Sequence, residues 1–537
     1  MSIDLVLLGD SDPIATSWRW GKVYHSNLEI NSVNTLISKI LDTHGYILFL
    51  DSALAIPSPN ILEQLVESNI DVAHAGLKFD LASKVDFLDY VSPISYFNLD
   101  RSVESEITSW KVSLKCCLVK KDVLQQFPFL NPQFESFDAS VLEWGYRLIW
   151  RGVIMRYYPN LANKSMSIDD FPIKDQIRFV YIFYGKKWLY WCAFREALNR
   201  KSLKWLVNVL NYNSAVKKGV HVIKKNASWN ASKIDPAFKI SVIIPTVDRY
   251  PYLFTLLDQL VEQTRLPDEV FIIDQSPIEN RQAVSLTKYD AIGLKVIQQD
   301  QPGQCRARNA ALQLCTGNLI LFLDDDVEVG PDFIELHLLN LTYHNADVSC
   351  GTVHEPDQTC GESKLIRIAD GFATGNSLVK RNVLLKSGLF DLSYDRGQKA
   401  DGDLGARIHK SGALMILNNE IDILHHRAPS GGLRKHNVRK ISYAGSRSNV
   451  LQFRLPHVTE LYFNRKYFTA LQQREHIWLT LLGTFSIRGG WMKKMLKIIW
   501  AFFNLPLNLY KIISRDRKAV QILKSDPITP ILSVSDG

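Results

Sequence analysis

The sequence lacks the signals that direct a chain out of the cytosol or cross-link it. Its N-terminus, Met1 to Val6, has no basic segment followed by an apolar stretch and a cleavage site, so we predict a cytoplasmic protein. The seven cysteines include no Cys-x-x-Cys pair, which argues against a disulfide framework or a zinc site. The longest uncharged apolar run near the C-terminus, Ile498 to Tyr510, has 13 residues and includes Pro506. A helix that spans a bilayer needs roughly 20, so none is predicted.

A strong charge of either sign is also missing. Lys and Arg number 63 and Asp and Glu number 55, a net charge of +8, and we predict no nucleic-acid partner. Basic residues instead concentrate beside aromatic residues in 183–225 and 488–524. Within 477–515, apolar and basic residues fall on opposite sides of a helix, which suits either contact with lipid headgroups or docking onto the protein itself. The first alternative makes this a peripheral membrane protein at the inner face of the plasma membrane.

The sequence does contain an alternation of short apolar strands and helices. With 537 residues, the chain is long enough for two domains. Apolar and leucine-periodic runs predict strands at 238–246, 269–274, 294–298 and 319–323 and helices at 251–263 and 307–315. The predicted fold class is therefore α/β, with a mixed, mainly parallel, Rossmann-like nucleotide-binding sheet flanked by helices.

Part of this plan occurs twice. The segment that begins at His44 aligns with the one that begins at Thr316, which indicates two tandem copies. The first strand of the first copy, Ile3 to Gly9, is aligned with Val270–Gln275, so that this copy lacks the first strand and helix of the second. At the aligned positions the second copy has Asp325, Asp326 and Asp401 and the first has Ser52, Ala53 and Val141. We predict a catalytically silent copy at 1–171, a basic and aromatic helical connector at 172–235, a catalytic copy at 236–450 and a helical tail at 451–537.

Acidic side chains follow several of the predicted strands. Asp248, Asp274 and the triplet Asp324 to Asp326 come after apolar runs, and the carboxyl ends of parallel strands meet at one edge of a sheet. Alternate residues of a strand point the same way, so we predict that Asp324 and Asp326 bind a divalent cation, Mn²⁺ or Mg²⁺, which neutralises a diphosphate. Three adjacent carboxylates repel one another, which favours a bound cation over a surface turn or a helix cap.

A second acidic element opens a helix at 400–408. Asp401 there is either a helix cap or a base that takes a proton from an attacking hydroxyl, since a helix N-terminus keeps a carboxylate ionised. The sequence alone leaves both roles open.

Two loops add candidate cationic groups. His425 follows a predicted strand and suits a metal ligand, while Arg427, with Gly431 and Gly432, suits a loop that closes over phosphate. Arg308, in the helix start that follows Gly303, is a weaker signal for phosphate binding. Ordinary loop histidines and arginines remain the alternative.

Together the motifs resemble those of glycosyltransferase family 2, whose members have the A-type glycosyltransferase fold. The matching segments are Val242–Arg249, Asp274–Ser276, Gly303, Ala307–Asn309, Phe322–Val327, Gly375–Asn376, Gly388–Asp391 and Asp401–Leu404. The resemblance implies an inverting enzyme that moves a sugar from a nucleoside-diphosphate sugar to a hydroxyl of a glycan, lipid-linked or protein acceptor. It also implies a place in polysaccharide or glycoconjugate biosynthesis.

The resemblance further implies roles for single residues. Asp401 is the catalytic base, with Asp403 as the alternative because Ala400 replaces the acid that usually precedes it. Asp324, Asp326 and His425 hold the cation. The residues implied to contact the nucleotide sugar are Pro245, Thr246, Asp248, Arg249, Asp274, Gly303, Arg308, Asn309, Asp324, Asp325 and Arg427.

Two other functions stay open. A nucleotidyltransferase has a similar sheet but a Gly-rich phosphate loop after the first strand, where this chain has Pro-Thr-Val-Asp-Arg at 245–249, which disfavours it. A non-catalytic scaffold of a polysaccharide-assembly complex fits the first copy, which has lost the acids, better than the second, which keeps them. Cation-dependent nucleotide binding distinguishes the enzyme from the scaffold.

Overall fold

A computed structural model describes residues 2–9, 18–41, 44–100, 104–200, 203–212, 234–356, 365–428, 447–525, 527 and 529–532. These residues form two compact units. The described residues before 213, together with 365–368, form the first unit, and the remaining described residues form the second.

Strands and helices alternate along most of the chain. The strands are β1 (Ile3–Leu8), β2 (Val23–Ser26), β3 (Tyr46–Asp51), β4 (Val72–His74), β5 (Ile107–Thr108), β6 (Cys116–Lys120), β7 (Met155–Tyr157), β8 (Ile240–Thr246), β9 (Glu269–Asp274), β10 (Leu294–Gln298), β11 (Leu319–Leu323), β12 (Val327–Glu328), β13 (Val348–His354), β14 (Ile366–Ile368), β15 (Asn376–Lys380) and β16 (Met415–His425). The α-helices are α1 (Ile30–Ile40), α2 (Pro59–Glu67), α3 (Lys121–Gln126), α4 (Phe137–Ile149), α5 (Ile173–Tyr184), α6 (Lys186–Arg200), α7 (Lys204–Leu210), α8 (Tyr250–Val261), α9 (Gln304–Leu314), α10 (Phe333–Tyr343), α11 (Arg381–Ser387), α12 (Ala400–Lys410), α13 (Val458–Tyr467), α14 (Ala470–Thr484) and α15 (Trp491–Lys524). Short 3-10 turns occur at Gly76–Phe79, Asp86–Tyr90, Tyr96–Asn98, Pro159–Leu161, Ile278–Asn280, Thr287–Ile292 and Leu392–Tyr394.

Each unit is built on a mixed sheet, which confirms the α/β class. The strand order is β2-β1-β3-β6-β4-β7-β5 in the first unit and β10-β9-β8-β11-β15-β13-β16-β12 in the second. Strands β10, β9, β8 and β11 run parallel to one another, as the alternation of strands and helices predicts. Three of them, β9, β10 and β11, have the predicted bounds. β9 and β11 contain continuous apolar runs, whereas β10 is a short run interrupted by Lys295.

The first sheet shares most of its strand order and directions with the second. From β2 to β7 the five pairings are parallel, parallel, antiparallel, antiparallel and parallel, and the five pairings from β9 to β16 are the same. The edge strands differ, because β5 follows β4 in the chain whereas β12 precedes β13. Strand β1 therefore stands where β8 stands, beside β3 or β11, and the alignment of Ile3–Gly9 with Val270–Gln275 is wrong. Both candidate strands are short apolar runs, and only the neighbour with which each pairs distinguishes them. Among the described residues, no strand of the first unit corresponds to β10.

The described part of the predicted connector, α5 to α7, groups with the first unit. The Asp175 carboxylate on α5 accepts hydrogen bonds from the backbone N–H groups of Glu135 (2.9 Å) and Ser136 (2.8 Å), just before α4. On α6, Glu196 accepts a 2.6 Å hydrogen bond from the Tyr90 hydroxyl. The aromatic residues of 173–210 are thus partly explained by packing, while the rest of 172–235 lies largely outside the described residues.

The predicted helical tail is confirmed as three helices, α13 to α15. Within the described residues, one helix, α15, is long and apolar enough to cross a membrane by length and composition alone. Six of the seven cysteines are buried and form no disulfide, and Cys360 lies outside the described residues.

A buried carboxylate joins the amino ends of the parallel strands. Glu269, the first residue of β9, accepts hydrogen bonds from the Ser241 hydroxyl (2.6 Å), the Thr316 backbone N–H (2.6 Å) and the Lys295 ammonium (2.7 Å). Burial alone raises the pKa of Glu269, but these donors outweigh it and lower the pKa to about 2. The negative charge of Glu269 thus holds β8, β9, β10 and the start of β11 together.

We expect Glu269→Gln to lower the free energy of unfolding at neutral pH by up to about 3.5 kcal/mol, because folding lowers the Glu269 pKa from 4.5 to about 2 and each tenfold change in proton affinity corresponds to about 1.4 kcal/mol. The exposed Lys295 ammonium makes this an upper bound. A carboxylate whose pKa is lowered by folding stabilises the folded state fully only above its unfolded-state pKa. The contribution of Glu269 is therefore lost as the pH falls from 4.5 towards 2. Urea unfolding across this range measures it. The exposed Glu262→Gln is the control, and an equal loss in both variants contradicts the role of Glu269.

Candidate active site

Polar side chains gather at the carboxyl ends of three adjacent parallel strands, as the sequence predicts. In the sheet, β8 lies between β9 and β11, and Thr246, the last residue of β8, pairs with Asp274, the last residue of β9. Asp324 follows β11 directly. Loops after parallel strands meet at the same edge of the sheet, so the sheet itself builds this crevice.

The acidic triplet is balanced by three cationic side chains from separate segments. After β8, Arg249 lies 2.9 Å from Asp325 and 3.1 Å from Asp326. On α9, Arg308 lies 2.9 Å from Asp324. The pairing of β12 with β16 places His425 beside the triplet, with its Nε2 atom 3.2 Å from Asp326 Oδ1. Arg249 and Arg308, with His425 beside Asp326, therefore offset part of the mutual repulsion of the three carboxylates within the protein itself.

The three carboxylates differ in their surroundings. Asp325 is buried, and burial raises its pKa to about 6 although Arg249 and the Thr246 hydroxyl, at 2.8 Å, both favour its charged form. Asp326 is buried too, but hydrogen bonds from His425 and the Ala428 backbone lower its pKa. Its partner His425 has a raised pKa because it bonds to Asp326. Asp324 is the most exposed of the three, with 40% of its side chain accessible, so it faces the crevice.

A glycine keeps the space beside Asp324 open. A Cβ atom at Gly375 would lie 2.9 Å from Asp324 Oδ2, closer than such contacts ordinarily come. The next residue, Asn376, is buried and bonded to His337 and to the Thr352 and Ile421 carbonyls. Both residues of the Gly375–Asn376 match thus have structural roles. Gly375 leaves room for the Asp324 side chain, and the hydrogen bonds of Asn376 fix the chain just after it.

The residues after β8 and β9 form the side of the crevice predicted for the nucleotide. Asp274 is buried and accepts hydrogen bonds from the Tyr250 hydroxyl (2.6 Å) and the Ser276 N–H (3.0 Å). Asp248 adopts a left-handed backbone with φ of 54°, and its N–H donates to the Ser276 hydroxyl at 2.9 Å. Pro245 lies one residue before the end of β8. The role of Tyr250 in holding Asp274 has no signal in the local sequence.

The start of α9 is capped by a residue that the sequence did not suggest. Asp395 accepts hydrogen bonds from the backbone N–H groups of Cys305 (2.8 Å) and Arg306 (3.0 Å). A side chain at Gly303 would collide with the Asp395 carboxylate. Asn309 exchanges hydrogen bonds with the backbone of Phe390 at 2.8 and 2.9 Å. Gly303 and Asn309 therefore serve to dock α9, which carries Arg308 to Asp324.

The two acids at the start of α12 occupy different environments. Asp403 has no exposed surface and is bound by Arg407 (2.9 Å), Lys466 (2.9 Å) and the Tyr467 hydroxyl (2.8 Å). Asp401 is half-buried in the first turn and accepts a 2.8 Å hydrogen bond from the Gly402 N–H. Within the described part of the chain, no ion pair involves Asp401. Asp403 thus anchors the C-terminal helix α13 to α12, whereas Asp401 keeps a carboxylate available.

The predicted phosphate loop is partly described. Arg427, in a left-handed conformation with φ of 51°, pairs with Glu355, and its neighbour His426 pairs with Glu328. Gly431 and Gly432 lie outside the described residues.

The cation ligands are not preassembled. Among the described residues, no three His, Cys, Asp or Glu side chains converge as a metal site. The donor types of Asp324, Asp326 and His425 nevertheless suit Mn²⁺ or Mg²⁺, and the last two already aim at one point. The set fits a cation that takes its remaining ligands from a diphosphate, once Arg308 and Arg249 release the two carboxylates.

Fold and site thus define an α/β protein with a charged crevice at its parallel strand ends. Residues 241–394 match the family model "Glycosyl transferase family 2". The second unit therefore contains a glycosyltransferase family 2 domain.

Several individual proteins are similar to this chain over part of their length. The uncharacterized glycosyltransferase YibD of Escherichia coli is 30% identical over 114 residues, 21% of this chain and 33% of YibD. The uncharacterized glycosyltransferase YwdF of Bacillus subtilis is 33% identical over 98 residues, 18% of this chain and 36% of YwdF. The solved structure of Staphylococcus aureus TarS 1-349 is 16% identical with a TM-score of 0.33, over 54% of this chain and 92% of that one. The chain spans less than half the length of the curated relatives it matches.

We expect Asp403→Asn to lower the free energy of unfolding by about 2–4 kcal/mol, because it leaves Arg407 without its buried counter-charge and Lys466 with Asp391 alone. Asp401→Asn is the matched variant, two residues away on the same helix, and should cost less than about 1 kcal/mol. Thermal and urea unfolding of the full chain measure both. A larger loss in Asp401→Asn reverses the two assignments.

Proposed function

We propose that the second unit is an inverting, divalent-cation-dependent glycosyltransferase that uses a nucleoside-diphosphate sugar. The observation that carries the proposal is the charged crevice at the ends of β8, β9 and β11, within the family 2 match at 241–394. Carboxylates and cationic side chains meet there at 2.9–3.2 Å in a largely buried setting. Such a crevice can exchange internal ion pairs for contacts with a cation and a diphosphate.

The donor is proposed to bind along the three strand ends. Pro245, Thr246, Asp248 and Asp274 line the nucleoside side, and Asp324 and Asp325 lie at the ribose. Arg249 and Arg308 turn from the carboxylates to the phosphates, which guanidinium groups bind in a bidentate manner. Arg427 approaches the diphosphate when its loop closes. Gly303 and Asn309 act by holding α9 in place.

The cation, Mn²⁺ or Mg²⁺, is proposed to be held by Asp324, Asp326 and His425. It supplies positive charge that makes the diphosphate a better leaving group. His425 must be neutral to donate its lone pair, although its pKa is raised beside Asp326. Cation binding should therefore release a proton wherever His425 is protonated in the free protein.

Asp401 is proposed to be the base. It takes the proton of the acceptor hydroxyl while that oxygen attacks the anomeric carbon and the bond to the diphosphate breaks, which inverts the configuration in one step. Its place in the first turn of α12 supports an ionised carboxylate, because the helix dipole stabilises negative charge there. Asp403 is less suited to this role, because Arg407, Lys466 and Tyr467 occupy both of its oxygens.

The first unit is proposed to be a catalytically silent relative of the second. Its support is the shared strand order and direction, and Asp51 ends β3 as Asp324 follows β11. Ser52 and Ala53 come next, and Lys115 lies 3.8 Å from the Asp51 carboxylate. No acid follows Asp51 directly as Asp325 and Asp326 follow Asp324, which leaves no adjacent carboxylates there for a cation. The acceptor is proposed to be a hydroxyl of a glycan, lipid-linked or protein substrate in polysaccharide or glycoconjugate synthesis.

Isothermal titration of the full chain with UDP and Mn²⁺ should show one site, and EDTA should abolish the binding. UDP comes first because TarS has been solved with UDP and with UDP-GlcNAc. Asp326→Asn should weaken binding by at least about tenfold, since it removes a charged ligand. Asp51→Asn, the corresponding strand end of the first unit, should change nothing. Binding of the nucleotide at two sites, or cation-independent binding of every nucleotide tested, would contradict the proposal and favour a non-catalytic scaffold.

Asp401→Asn should lower kcat by about 10²–10⁴-fold, the usual contribution of a positioned base, without changing the Kd for donor and cation. Turnover is followed as nucleoside diphosphate released across a panel of sugar nucleotides. Turnover within a few fold of the unmodified protein contradicts a base role for Asp401. A loss of donor binding would place Asp401 in the donor site instead.

A further inference from the structure

Most of the side chains that the helix α15 buries against the protein are small or polar. Its buried residues, spaced by four and seven, are Lys497, Ala501, Asn508, Ile512 and Ala519. Large apolar side chains are exposed instead, with Phe502 at 66% and Phe503 at 74% of their surface accessible. A helix that packs into the core of a protein buries its largest apolar residues, so α15 shows the opposite arrangement.

The exposed apolar residues form one continuous face. Helical periodicity places a series spaced by three or four residues on the side opposite the buried stripe. The members of this outward face are Met492, Met495, Leu496, Ile499, Phe502, Phe503, Pro506, Tyr510 and Ile513. All of them except Pro506 are large apolar side chains with 40% or more of their surface exposed. A contiguous face of this size marks an interaction surface, since single exposed apolar residues are the norm elsewhere.

Specific contacts hold the opposite side of α15 to the second unit. The Lys497 ammonium donates to the carbonyls of Asn449 (3.2 Å), Val450 (3.1 Å) and Gln452 (2.6 Å). Further along, Arg465 Nε on α13 lies 2.9 Å from Asp516 Oδ1. These bonds are spread over five turns of the helix, so α15 lies along the unit and its outward face runs parallel to the unit's surface.

The charges around the outward face indicate which kind of partner it binds. The helix contains eight Lys and Arg but one acid, Asp516, which Arg465 neutralises. Lys493, Lys511 and Lys518 follow one flank of the apolar face. Two copies of so basic a surface repel each other, which disfavours a second copy of this chain. An apolar face edged by lysines fits the interface of an anionic bilayer, where the lysines meet headgroups and the apolar side chains enter the acyl boundary.

We propose that α15 is an in-plane docking helix that binds the surface of an anionic lipid bilayer through its outward face. The contacts of Lys497 and Asp516 with the rest of the second unit hold α15 alongside that unit, which favours an in-plane over a bilayer-spanning placement. The anionic cytoplasmic leaflet is the surface of matching charge, so the protein is placed at the inner face of the membrane. This inference concerns a surface remote in sequence from Asp324–Asp326 and is independent of the transfer reaction.

Co-sedimentation of the full chain with phosphatidylcholine vesicles, with and without phosphatidylglycerol, tests the proposal. The chain should bind the anionic vesicles and be released by sodium carbonate at high pH. The double variant Phe502→Ser/Phe503→Ser should lower the partition coefficient by at least about tenfold, because it removes the most exposed apolar area. Changing Lys493, Lys494, Lys511 and Lys518 to Gln should remove the preference for phosphatidylglycerol and the dependence of binding on salt.

The matched control is Ile278→Ser/Leu286→Ser, which removes two large apolar side chains that are 72% and 54% exposed in the same unit. It should bind vesicles as the unmodified chain does, and unchanged circular dichroism checks that each variant is folded. Failure to bind, or an equal loss in the control, overturns the proposal. Resistance to carbonate overturns the in-plane placement in favour of a spanning helix. A dimer that dissociates in the Phe502/Phe503 variant overturns the lipid partner in favour of a second copy.

Discussion

The neutralisation of three adjacent aspartates is the interaction on which the rest of the second unit depends. Arg249, Arg308 and His425 reach the triplet from the loop after β8, from α9 and from the end of β16. Each pair therefore joins a distant part of the chain to the end of β11. Because the carboxylates already have internal partners, any cation that binds the triplet must compete with Arg249, Arg308 and His425.

The sequence was most informative where structure is local. Short runs rich in apolar residues predicted the first and last residues of β9, β10 and β11. The rule that polar residues follow parallel strands predicted that Asp274 and Asp324 lie in one crevice. It was silent where a group depends on a distant partner. Asp395 caps a helix 90 positions earlier, and Asp403 is satisfied by α13 more than 60 positions later. No pattern within either segment encodes these contacts.

The first unit shows another case in which a distant partner decides what the sequence alone does not reveal. Apolar strands of similar composition cannot be told apart by sequence, so β1 was matched to β9, whereas its pairing with β3 gives it the position of β8. A difference at single positions, in contrast, can be read from the sequence. Ser52 and Ala53 follow Asp51, where two further acids follow Asp324 in the second unit.

The bond between α12 and α13 has a consequence for how such a domain can be divided. The family 2 match ends at residue 394, but the buried carboxylate of Asp403 on α12 binds Lys466 and Tyr467 of α13 as well as Arg407 of its own helix. A fragment cut at the limits of the match would discard α12 and with it the half-buried carboxylate of Asp401. One that ended after α12 would leave Asp403 with Arg407 but without its two partners on α13. A stable version of this domain is therefore expected to extend at least to Tyr467.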